Sequence, residues 1–338
     1  MAIKTAIVGC GLIGQRRAAE ADTNTNSTVA FVVDINEAIA QRTASSFHCP
    51  FSSDWRDAIA ADIDIVIIAT PNAYLAEVGI AALESGKHVL LEKPMGRNLD
   101  EAQRLSAAAA RSKKHLKVGF NHRYHPAISR AHELFESGSI GSLINMRFRY
   151  GHGGRPGYEN EWRGSMELAG GGELTDQGVH ILDLANWFAG LPEYVFCMKQ
   201  TAVWPLSPLE DNAFALLRYE HGAVVNFHSS WTQWKNLFSM EIFGTLGALI
   251  VEGLGKSYGV ERLTEHRRNL LGGIPETIET VFDEPDHSWS LEWDEFLSAI
   301  ISGSRYHGTP EDGSSVMNVL AALYESSKTN RAINVSRR

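Results

Sequence analysis

A lysine at the end of an apolar run is the first residue of this sequence whose type and position suit chemistry. The segment LLEKP places Glu92, Lys93 and Pro94 directly after residues that are typical of a buried strand. Proline disfavours the helical region for the residue before it, so Lys93 is predicted to lie extended at the strand end. An ammonium group there can donate a proton to a carbonyl oxygen or polarise a hydroxyl group. The alternative is a solvated surface lysine.

A second set of polar groups lies in the segment GGGELTDQGVHILD. A helix would align Asp176, His180 and Asp183 on one face, because residues three or four apart are neighbours on a helix. An imidazole with carboxylates within one turn can act in proton transfer, and the preceding glycine triplet would let the chain approach a ligand. The alternative is a capped helix with a buried, hydrogen-bonded histidine. One histidine and two aspartates, without HExxH or a cysteine partner, do not predict a metal site.

The segment VGCGLIG has the glycine spacing of a dinucleotide-binding turn. Gly9, Gly11 and Gly14 follow an apolar strand and open a predicted helix, whose N-terminus would favour a pyrophosphate. Asp34 ends the next strand 20 residues after Gly14, as expected for a carboxylate that binds ribose hydroxyls. No Arg or Ser follows Asp34 to hold a 2′-phosphate, so we predict NAD as the cofactor and NADP as the weaker ligand. Arg16 and Arg17, early in the helix, could approach phosphates, but a solvated face is the expectation for both.

Alternating strands and helices must position these groups in the first 120 residues. Such alternation, with nearly all-apolar strands, predicts a parallel sheet covered by helices on both faces. ATPN and EKP then end two strands at the carboxyl edge, where ligands bind in open α/β sheets. The predicted strands are 5–9, 29–34, 62–70, 87–92 and 116–120, and the predicted helices are 11–22, 73–86 and 100–112.

After residue 121 the pattern changes to strands in series, which predicts an antiparallel sheet. The fold class expected is therefore α/β, with a Rossmann domain at 1–120 and an α+β domain with a large open antiparallel sheet at 121–338. The predicted strands of the second part are 142–151, 193–203, 212–219, 223–232, 237–244 and 248–253, and its predicted helices are 126–136, 173–190, 290–303 and 313–327.

Composition excludes several classes of protein. The 338 residues are enough for about two domains, and the net charge of −9 argues against nucleic acid or an anionic membrane as partner. The three cysteines form no disulfide framework, and the N-terminus lacks the features of a signal peptide. We therefore expect a cytoplasmic protein without a membrane-spanning segment.

Taken together and in this order, the motifs resemble the glucose-fructose oxidoreductase, inositol dehydrogenase and rhizopine catabolism family. These are the glycine turn with its strand-end Asp, then ATPN, EKP, GFNHRYHP and WRGSMELAGGGELTDQGVHILD. The resemblance covers essentially the whole chain. It implies hydride transfer between NAD(P) and a hydroxyl or keto carbon of a sugar, cyclitol or related compound. It also implies a homodimer or homotetramer that forms through the C-terminal sheet.

The resemblance implies a role for each matching residue. Lys93 lies near the reacting oxygen, Asp176 and His180 complete the catalytic set, and His180 is the expected proton-transfer residue. The expected substrate-binding residues are Lys93, Arg123, Arg163, Asp176 and His180. The expected cofactor-binding residues are Gly9, Gly11, Leu12, Ile13, Gly14, Asp34, Thr70, Pro71, Asn72, Glu92, Lys93, Asn121, Trp162 and Arg163.

Two features depart from the family or stay open. Many members have TPNHLH where this chain has TPNAYL, so Ala73 and Leu75 replace two histidines. The loop 147–163 holds four arginines, which suggests a substrate with an anionic group, although Arg147 and Arg149 alternate with Phe148 as residues facing solvent or a subunit interface would.

Two other functions remain open at this point. One is an enzyme that retains NAD and uses transient oxidation to cleave a glycosidic bond or epimerise. The other is a non-catalytic regulatory protein on the same scaffold. The presence of both Lys93 and His180 argues against the regulatory protein, because such relatives can lose them.

Overall fold

The computed structural model describes residues 2–335, and its first sheet is built from parallel strands with almost wholly buried side chains. The sheet order is β3-β2-β1-β4-β5-β6, which is the order of a doubly wound dinucleotide-binding fold. The strands are β1 Ile3–Val8, β2 Ser27–Val33, β3 Phe51–Ser52, β4 Ile65–Ile68, β5 His88–Leu91 and β6 Leu116–Val118.

Helices follow these strands and cover the sheet. Asn36 and Asn98 accept hydrogen bonds from first-turn amides of two of the helices, which satisfies donors that a helix start leaves open. The two helices between residues 37 and 60 are not predicted from the sequence. The helices are α1 Leu12–Thr23, α2 Glu37–Phe47, α3 Trp55–Ala60, α4 Asn72–Glu84 and α5 Leu99–Ser112.

The second sheet has nine strands among the described residues, in the order β14-β13-β12-β11-β7-β10-β9-β8-β15. The strands are β7 Leu143–Gly151, β8 Tyr194–Gln200, β9 Asn212–Arg218, β10 Val224–Ser230, β11 Leu237–Gly244, β12 Gly247–Glu252, β13 Glu261–Arg267, β14 Glu276–Phe282 and β15 Ile333–Asn334. The other helices are α6 Pro126–Glu136, α7 Met166–Ala169, α8 Val179–Ala189, α9 Ser288–Ser302 and α10 Pro310–Thr329.

One strand pair departs from the predicted antiparallel sheet. β7 and β10 run parallel, whereas the other neighbours in this sheet are antiparallel. No hairpin joins this pair, because helices and two other strands separate β7 from β10 along the chain. The predicted fold class is confirmed, with the second sheet mixed and mostly antiparallel.

The chain divides into two compact units whose boundaries differ from the predicted domains. The first unit contains residues 2–120 and 289–317, and the second contains 121–288 and 318–335. The sequence assigns 289–317 to the second domain, but α9 adds Trp293, Phe296 and Leu297 to the apolar core of the first unit. Burial of these large side chains is the physical reason for the difference.

None of the helices in the described part of the chain is long and apolar enough to cross a lipid bilayer.

Candidate active site

The glycine turn of the first unit leaves its backbone open where a dinucleotide would lie. A Cβ atom on Gly14 would lie 1.8 Å from the carbonyl oxygen of Gly9, so only glycine lets the helix pack this closely on the turn. A Cβ on Gly11 would meet nothing within 4 Å. Gly11 is also the N-terminal cap of α1 and provides no side chain to its first amides. The turn therefore fits a pyrophosphate, which those amides can bind.

Asp34 is fixed against the same turn. Its Oδ2 accepts a hydrogen bond from the amide of Cys10 at 2.8 Å, and its Oδ1 accepts one from the amide of Asn36 at 2.8 Å. The neighbouring Leu12 and Ile35 are 86% and 91% exposed, which is unusual for large apolar side chains. A carboxylate for ribose and apolar side chains for a base are thus present beside the turn, so the residues fit an NAD molecule.

The two proline-bracketed strand ends lie next to each other, as predicted. β4 and β5 are paired in parallel with Ile68 opposite Leu91, so the segments that follow them leave the same edge of the sheet. Thr70 and Pro71 are half-buried, and Asn72 is buried at the start of α4. Lys93 is half-buried directly beyond the end of β5.

Glu92 is held by Arg17, a buried arginine that was expected on a solvated face. Arg17 is 2% exposed. Its Nε donates to Oε1 of Glu92 at 2.7 Å, and its Nη1 donates to Oε2 of Glu292 at 2.5 Å. Burial raises the pKa of the Glu292 carboxyl, and the adjacent Arg17 guanidinium opposes that rise. The expectation of a solvated Arg17 is wrong, because α9 brings Glu292 over this face of α1.

A second buried cation extends this group, which we call the ion cluster: Arg17, Lys117, Glu92, Glu292 and Glu295. Lys117 Nζ lies 2.8 Å from Oε2 of Glu295 and donates to the carbonyl of His307 at 2.6 Å. A Cβ on Gly119 would lie 2.6 Å from Nη2 of Arg17, so a side chain there would displace the guanidinium. The sequence contains no local signal for this cluster, since Arg17 and Glu292 are 275 residues apart.

In the second unit, Asp176 belongs to a π-helical turn that precedes α8. The turn spans Leu174–Gly178, and such turns are frequent at functional sites. The buried carboxylate of Glu210 accepts hydrogen bonds from the amides of Gly172 at 3.0 Å and Leu174 at 3.2 Å. The hydroxyl of Tyr324 donates to the same carboxylate at 2.7 Å. Glu210 and Tyr324 therefore fix the start of the turn, although no motif in the sequence indicates either residue.

The glycine triplet serves packing in this structure. A Cβ on Gly171 would lie 2.0 Å from Oγ1 of Thr175, and a Cβ on Gly172 would lie 2.1 Å from the carbonyl oxygen of Glu210. Gly171 and Gly172 therefore allow the chain to pack closely on itself, rather than allowing a ligand to approach.

Asp176 lies beside Trp162 and Arg163, two other predicted site residues. Nε of Arg163 donates to Oδ2 of Asp176 at 3.1 Å. The guanidinium of Arg163 also lies over the ring of Trp162, 4.4 Å from its centroid. All three side chains are half-buried, so they remain within reach of a small molecule.

Asp183 lies in a different environment from Asp176. It is bound by Arg123, which the resemblance assigns to substrate binding. The guanidinium of Arg123 forms two hydrogen bonds to the fully buried Asp183 carboxylate, at 2.8 and 2.5 Å. Because both members are buried and the pair is bidentate, we assign it to the support of α8 rather than to substrate binding.

His180 is 6% exposed and its ring is stacked on that of His122, with the centroids 3.7 Å apart. Nδ1 of His122 lies 3.2 Å from Oδ1 of Asn121, and Nε2 of His122 lies 3.1 Å from the hydroxyl of Tyr150. The Asn121 amide also donates to Ser288 at 3.1 Å, so a contact of Asn121 with a cofactor stays a prediction.

The arginines of the 147–163 loop are largely matched by carboxylates. Arg147 pairs with Glu241 at 3.6 Å, Arg155 with Glu161 at 2.7 Å, and Arg163 with Asp176 at 3.1 Å, whereas Arg149 is exposed on β7. Burial lowers the pKa of His152 in the same loop, which keeps that ring neutral at neutral pH.

Within residues 2–335 no three His, Cys, Asp or Glu side chains are grouped so that they would hold a metal ion.

The chain matches two adjacent family models. Residues 3–120 match the oxidoreductase family with an NAD-binding Rossmann fold, and residues 128–250 match the GFO/IDH/MocA C-terminal domain.

Individual relatives match over nearly the whole chain. Levoglucosan dehydrogenase from Pseudarthrobacter phenanthrenivorans is 26% identical, covering 90% of this chain and 88% of the relative. D-xylose 1-dehydrogenase (NADP(+)) 2 from Haloferax volcanii is 27% identical, covering 97% of this chain and 98% of the relative. A solved structure of levoglucosan dehydrogenase in complex with NADH has a TM-score of 0.88 and 25% identity, covering 99% of each chain.

The glycine turn with Asp34, the lysine after β5 and the Asp–His helix thus occur in a chain that both models match in order. This chain belongs to the GFO/IDH/MocA oxidoreductase family and has its NAD-binding Rossmann domain.

Proposed function

We propose that this enzyme transfers hydride between NAD and a hydroxyl or keto carbon of a sugar or a related polyhydroxy compound. The observation that carries the proposal lies within the first unit. The glycine turn follows β1 and Lys93 follows β5, so the cofactor turn and the lysine share the carboxyl edge of one parallel sheet. The names of two full-length relatives, levoglucosan dehydrogenase and D-xylose 1-dehydrogenase, support a sugar-type substrate.

The proposed catalytic set is Lys93, Asp176 and His180. Lys93 binds the reacting oxygen and stabilises the negative charge that develops there when the hydroxyl proton leaves. His180, in its neutral form, accepts that proton during oxidation and returns it during reduction. Asp176 orients the substrate together with Arg163. Bound NAD supplies the hydride chemistry.

The predicted cofactor-binding residues divide by position. Gly9, Gly11, Leu12, Ile13 and Gly14 would hold the pyrophosphate at the turn, and Asp34 would hold the ribose. The residues that would border the nicotinamide are Thr70, Pro71, Asn72, Glu92, Lys93, Asn121, Trp162 and Arg163.

We propose NAD rather than NADP as the preferred cofactor. The Asp34 carboxylate would repel a 2′-phosphate, and Ile35 offers it no hydrogen-bond donor from its side chain. Fluorescence titration of the purified protein should give tighter binding of NADH than of NADPH. Tighter binding of NADPH would contradict the proposal. The comparison matters because one relative, D-xylose 1-dehydrogenase (NADP(+)) 2, carries NADP(+) in its name.

The ion pairs of the 147–163 loop favour a neutral substrate over the anionic one suggested by the sequence. Arg155 is 60% exposed in its side chain and is bound bidentately by Glu161, so it presents little net charge. Turnover of neutral sugars that is unchanged in Arg155→Ala would support this choice. Turnover restricted to sugar acids or nucleotide sugars, and lost in Arg155→Ala, would restore the anionic substrate.

An enzyme that retains NAD and epimerises or cleaves glycosides is the second candidate. It would consume substrate without accumulation of NADH, whereas a dehydrogenase accumulates NADH in proportion to the oxidised sugar. A regulatory protein on this scaffold would bind NADH and sugar without turnover of either.

We also propose that the chain forms a homodimer or homotetramer through its second sheet. Met198, Phe214, Leu216 and Val224 are between 40% and 58% exposed and lie on the same face of β8, β9 and β10. An apolar face of this kind is typical of an interface between subunits. Light scattering should give a dimer or tetramer mass, and Leu216→Lys should reduce it to the mass of one chain. A wild-type protein that is monomeric would contradict this proposal.

A reducing compartment such as the cytoplasm is proposed from the cysteines. Cys10, Cys49 and Cys197 are all free thiols, and burial raises the pKa of Cys10 and of Cys197 to about 12. Mass spectrometry after alkylation under denaturing conditions should find three modified thiols in protein taken from cells. A disulfide in that protein would contradict the assignment.

A further inference from the structure

We propose that His122 is a positioning residue, which holds the His180 ring in the plane that proton transfer requires. The proposal rests on the proposed role of His180. The two imidazoles are stacked with an angle of 15° between their planes and a centroid separation of 3.7 Å. Both residues are buried, at 5% and 6% exposure. A ring rotation of His180 about its side-chain bonds would therefore break this contact.

The His122 ring is itself fixed by hydrogen bonds at both nitrogens. Nδ2 of Asn121 donates to Ser288, which leaves Oδ1 of Asn121 to accept from His122. Nδ1 of His122 therefore carries the proton, and Nε2 of the neutral ring accepts from the hydroxyl of Tyr150. One tautomer and one ring orientation of His122 satisfy both contacts.

Tyr150 also contacts a residue that is bound to the element carrying Asp176. The rings of Tyr150 and Tyr258 pack with their centroids 5.2 Å apart, and Nε2 of Gln177 donates to the hydroxyl of Tyr258 at 3.1 Å. Gln177 belongs to the π-helical turn Leu174–Gly178. Packing of Tyr258 on Tyr150 thus links the π-helical turn to the hydrogen bond that holds the His122 ring. Burial raises the pKa of Tyr258 to about 12 and that of Tyr150 well above its ordinary value, so both hydroxyls stay protonated.

Charged groups around the pair determine how it binds protons. The carboxylates of Glu173, directly before the π-helical turn, and of Asp176, within it, contribute to the raised pKa of Tyr150. On another side of His122, His125 packs edge-on at 5.6 Å between centroids. Nδ1 of His125 lies 2.7 Å from Glu261 and 4.0 Å from Asp286.

Two stacked imidazoles so close together disfavour a state in which both are protonated, because like charges repel in a buried site. We therefore expect the pair to bind its two protons in separate steps. Proton binding in two steps would distinguish a pair of coupled imidazoles from a His122 ring that only packs against His180.

The test uses the full-length protein with histidine labelled by ¹⁵N in the ring, so that it does not depend on turnover. His122→Phe keeps a stacked ring and removes the proton coupling, and His180→Asn assigns the His180 signal. We expect the two-step titration of the wild-type pair to become a single step for His180 in His122→Phe. His115→Phe is the matched control, because His115 is stacked on His88 in the first unit at 5.2 Å.

Measurement of kcat, with a neutral sugar that the wild-type enzyme oxidises, then tests whether the stacking of His122 on His180 matters for catalysis. His122→Ala should lower kcat about tenfold to hundredfold, with unchanged affinity for NADH, because a displaced proton acceptor slows the reaction by this amount. His122→Phe should recover part of the loss. If the alanine variant unfolds, Tyr150→Phe removes the hydrogen bond to Nε2 of His122 and should lower kcat without a change in NADH affinity.

Two results would overturn the proposal. One is a His180 titration that is identical in the wild type and in His122→Phe. The other is a wild-type kcat in both His122→Ala and Tyr150→Phe. If no sugar is oxidised by the wild type, the proposed function fails, and the titration alone still decides whether His122 is coupled to His180.

Discussion

Lys93 and His180 are both predicted to act on the substrate, yet the structure supports them by different interactions. Lys93 follows Glu92, whose carboxylate is bound by a fully buried guanidinium in the ion cluster of the first unit. In the second unit, the His180 ring is stacked on the His122 ring, whose nitrogens contact the neutral side chains of Asn121 and Tyr150. Formal charges thus support the neighbour of Lys93, whereas neutral groups hold the His180 ring. The helix that carries this ring also contains Asp183, which forms a buried ion pair with Arg123.

This difference determines how each region should respond to mutation. Removal of one member of a buried ion cluster leaves an uncompensated charge, which costs several kcal/mol. Removal of one neutral hydrogen bond costs about 1 kcal/mol, and the neighbours keep their other partners. We therefore expect large, cooperative losses in the ion cluster and smaller, graded losses where a neutral group of the second unit loses one hydrogen bond.

The largest expected effect is on catalysis by Lys93→Ala. This change removes the ammonium group at the reacting oxygen and should lower kcat by about 10²–10⁴-fold. Binding of NADH, measured by fluorescence titration, should be unchanged. Lys235→Ala, at an exposed position, is the control and should keep wild-type kcat. Wild-type turnover in Lys93→Ala would remove this lysine from the mechanism.

The next effect is on stability through Arg17→Met. Glu92 and Glu292 would be left buried without their partner, so the free energy of unfolding should fall by about 3–5 kcal/mol. Urea titration measures this change.

Two further variants sharpen the test of the ion cluster. Glu292→Gln in the Arg17→Met background should recover part of the loss, because it removes one buried negative charge. Arg147→Met breaks an exposed pair and should change stability by less than about 1 kcal/mol. Equal losses for Arg17→Met and Arg147→Met would show that burial of the cluster has no energetic consequence.

A smaller loss is expected at the start of the π-helical turn. Tyr324→Phe removes the hydroxyl that donates to Glu210, which should lower the free energy of unfolding by about 1–2 kcal/mol. Tyr306→Phe, whose hydroxyl donates to the carbonyl of Leu116 at 3.1 Å in the first unit, is a matched change. If Tyr324→Phe lowered the free energy of unfolding as much as Arg17→Met, the expected difference between a single hydrogen bond and the ion cluster would be wrong.

At neutral pH the smallest effect is that of the stacked histidines of the first unit, which change stability only in acid. Burial, followed by repulsion from Lys114, lowers the pKa of His88 from 6.5 to about 4. The folded state thus favours neutral His88, and this stabilisation is present above pH 6.5 and is lost as the pH falls towards 4. In His88→Asn, the free energy of unfolding should fall less between pH 6.5 and pH 4 than in the wild type, as measured by urea titration at each pH. An equal fall in both proteins would show that His88 does not contribute to the loss of stability in acid.

Local pattern was sufficient for much of the fold. The helix predicted at 126–136 and the strand predicted at 237–244 agree with Pro126–Glu136 and Leu237–Gly244, because apolar spacing and Pro126 act within the segment itself. β13 and β14 were not predicted, since their many charged and polar residues hide the strand pattern.

Long-range contacts explain the rest of the differences. The burial of Arg17 depends on Glu292 in α9, and the assignment of 289–317 to the first unit depends on the same helix. Arg123 is bound by Asp183, 60 residues away, which no spacing rule indicates. The sequence therefore identified residue types for the site, whereas it did not identify the residues that hold them.

We propose above all that this enzyme oxidises neutral polyhydroxy compounds with NAD. The most direct measurement incubates the purified wild type and Lys93→Ala with NAD and single sugars or cyclitols, and follows NADH absorbance together with the sugar product. We expect NADH and oxidised sugar to accumulate in equal amounts in the wild type and both to be lost in Lys93→Ala. Conversion of a sugar without accumulation of NADH would contradict the proposed dehydrogenase activity, and equal turnover by the two proteins would contradict the role of Lys93.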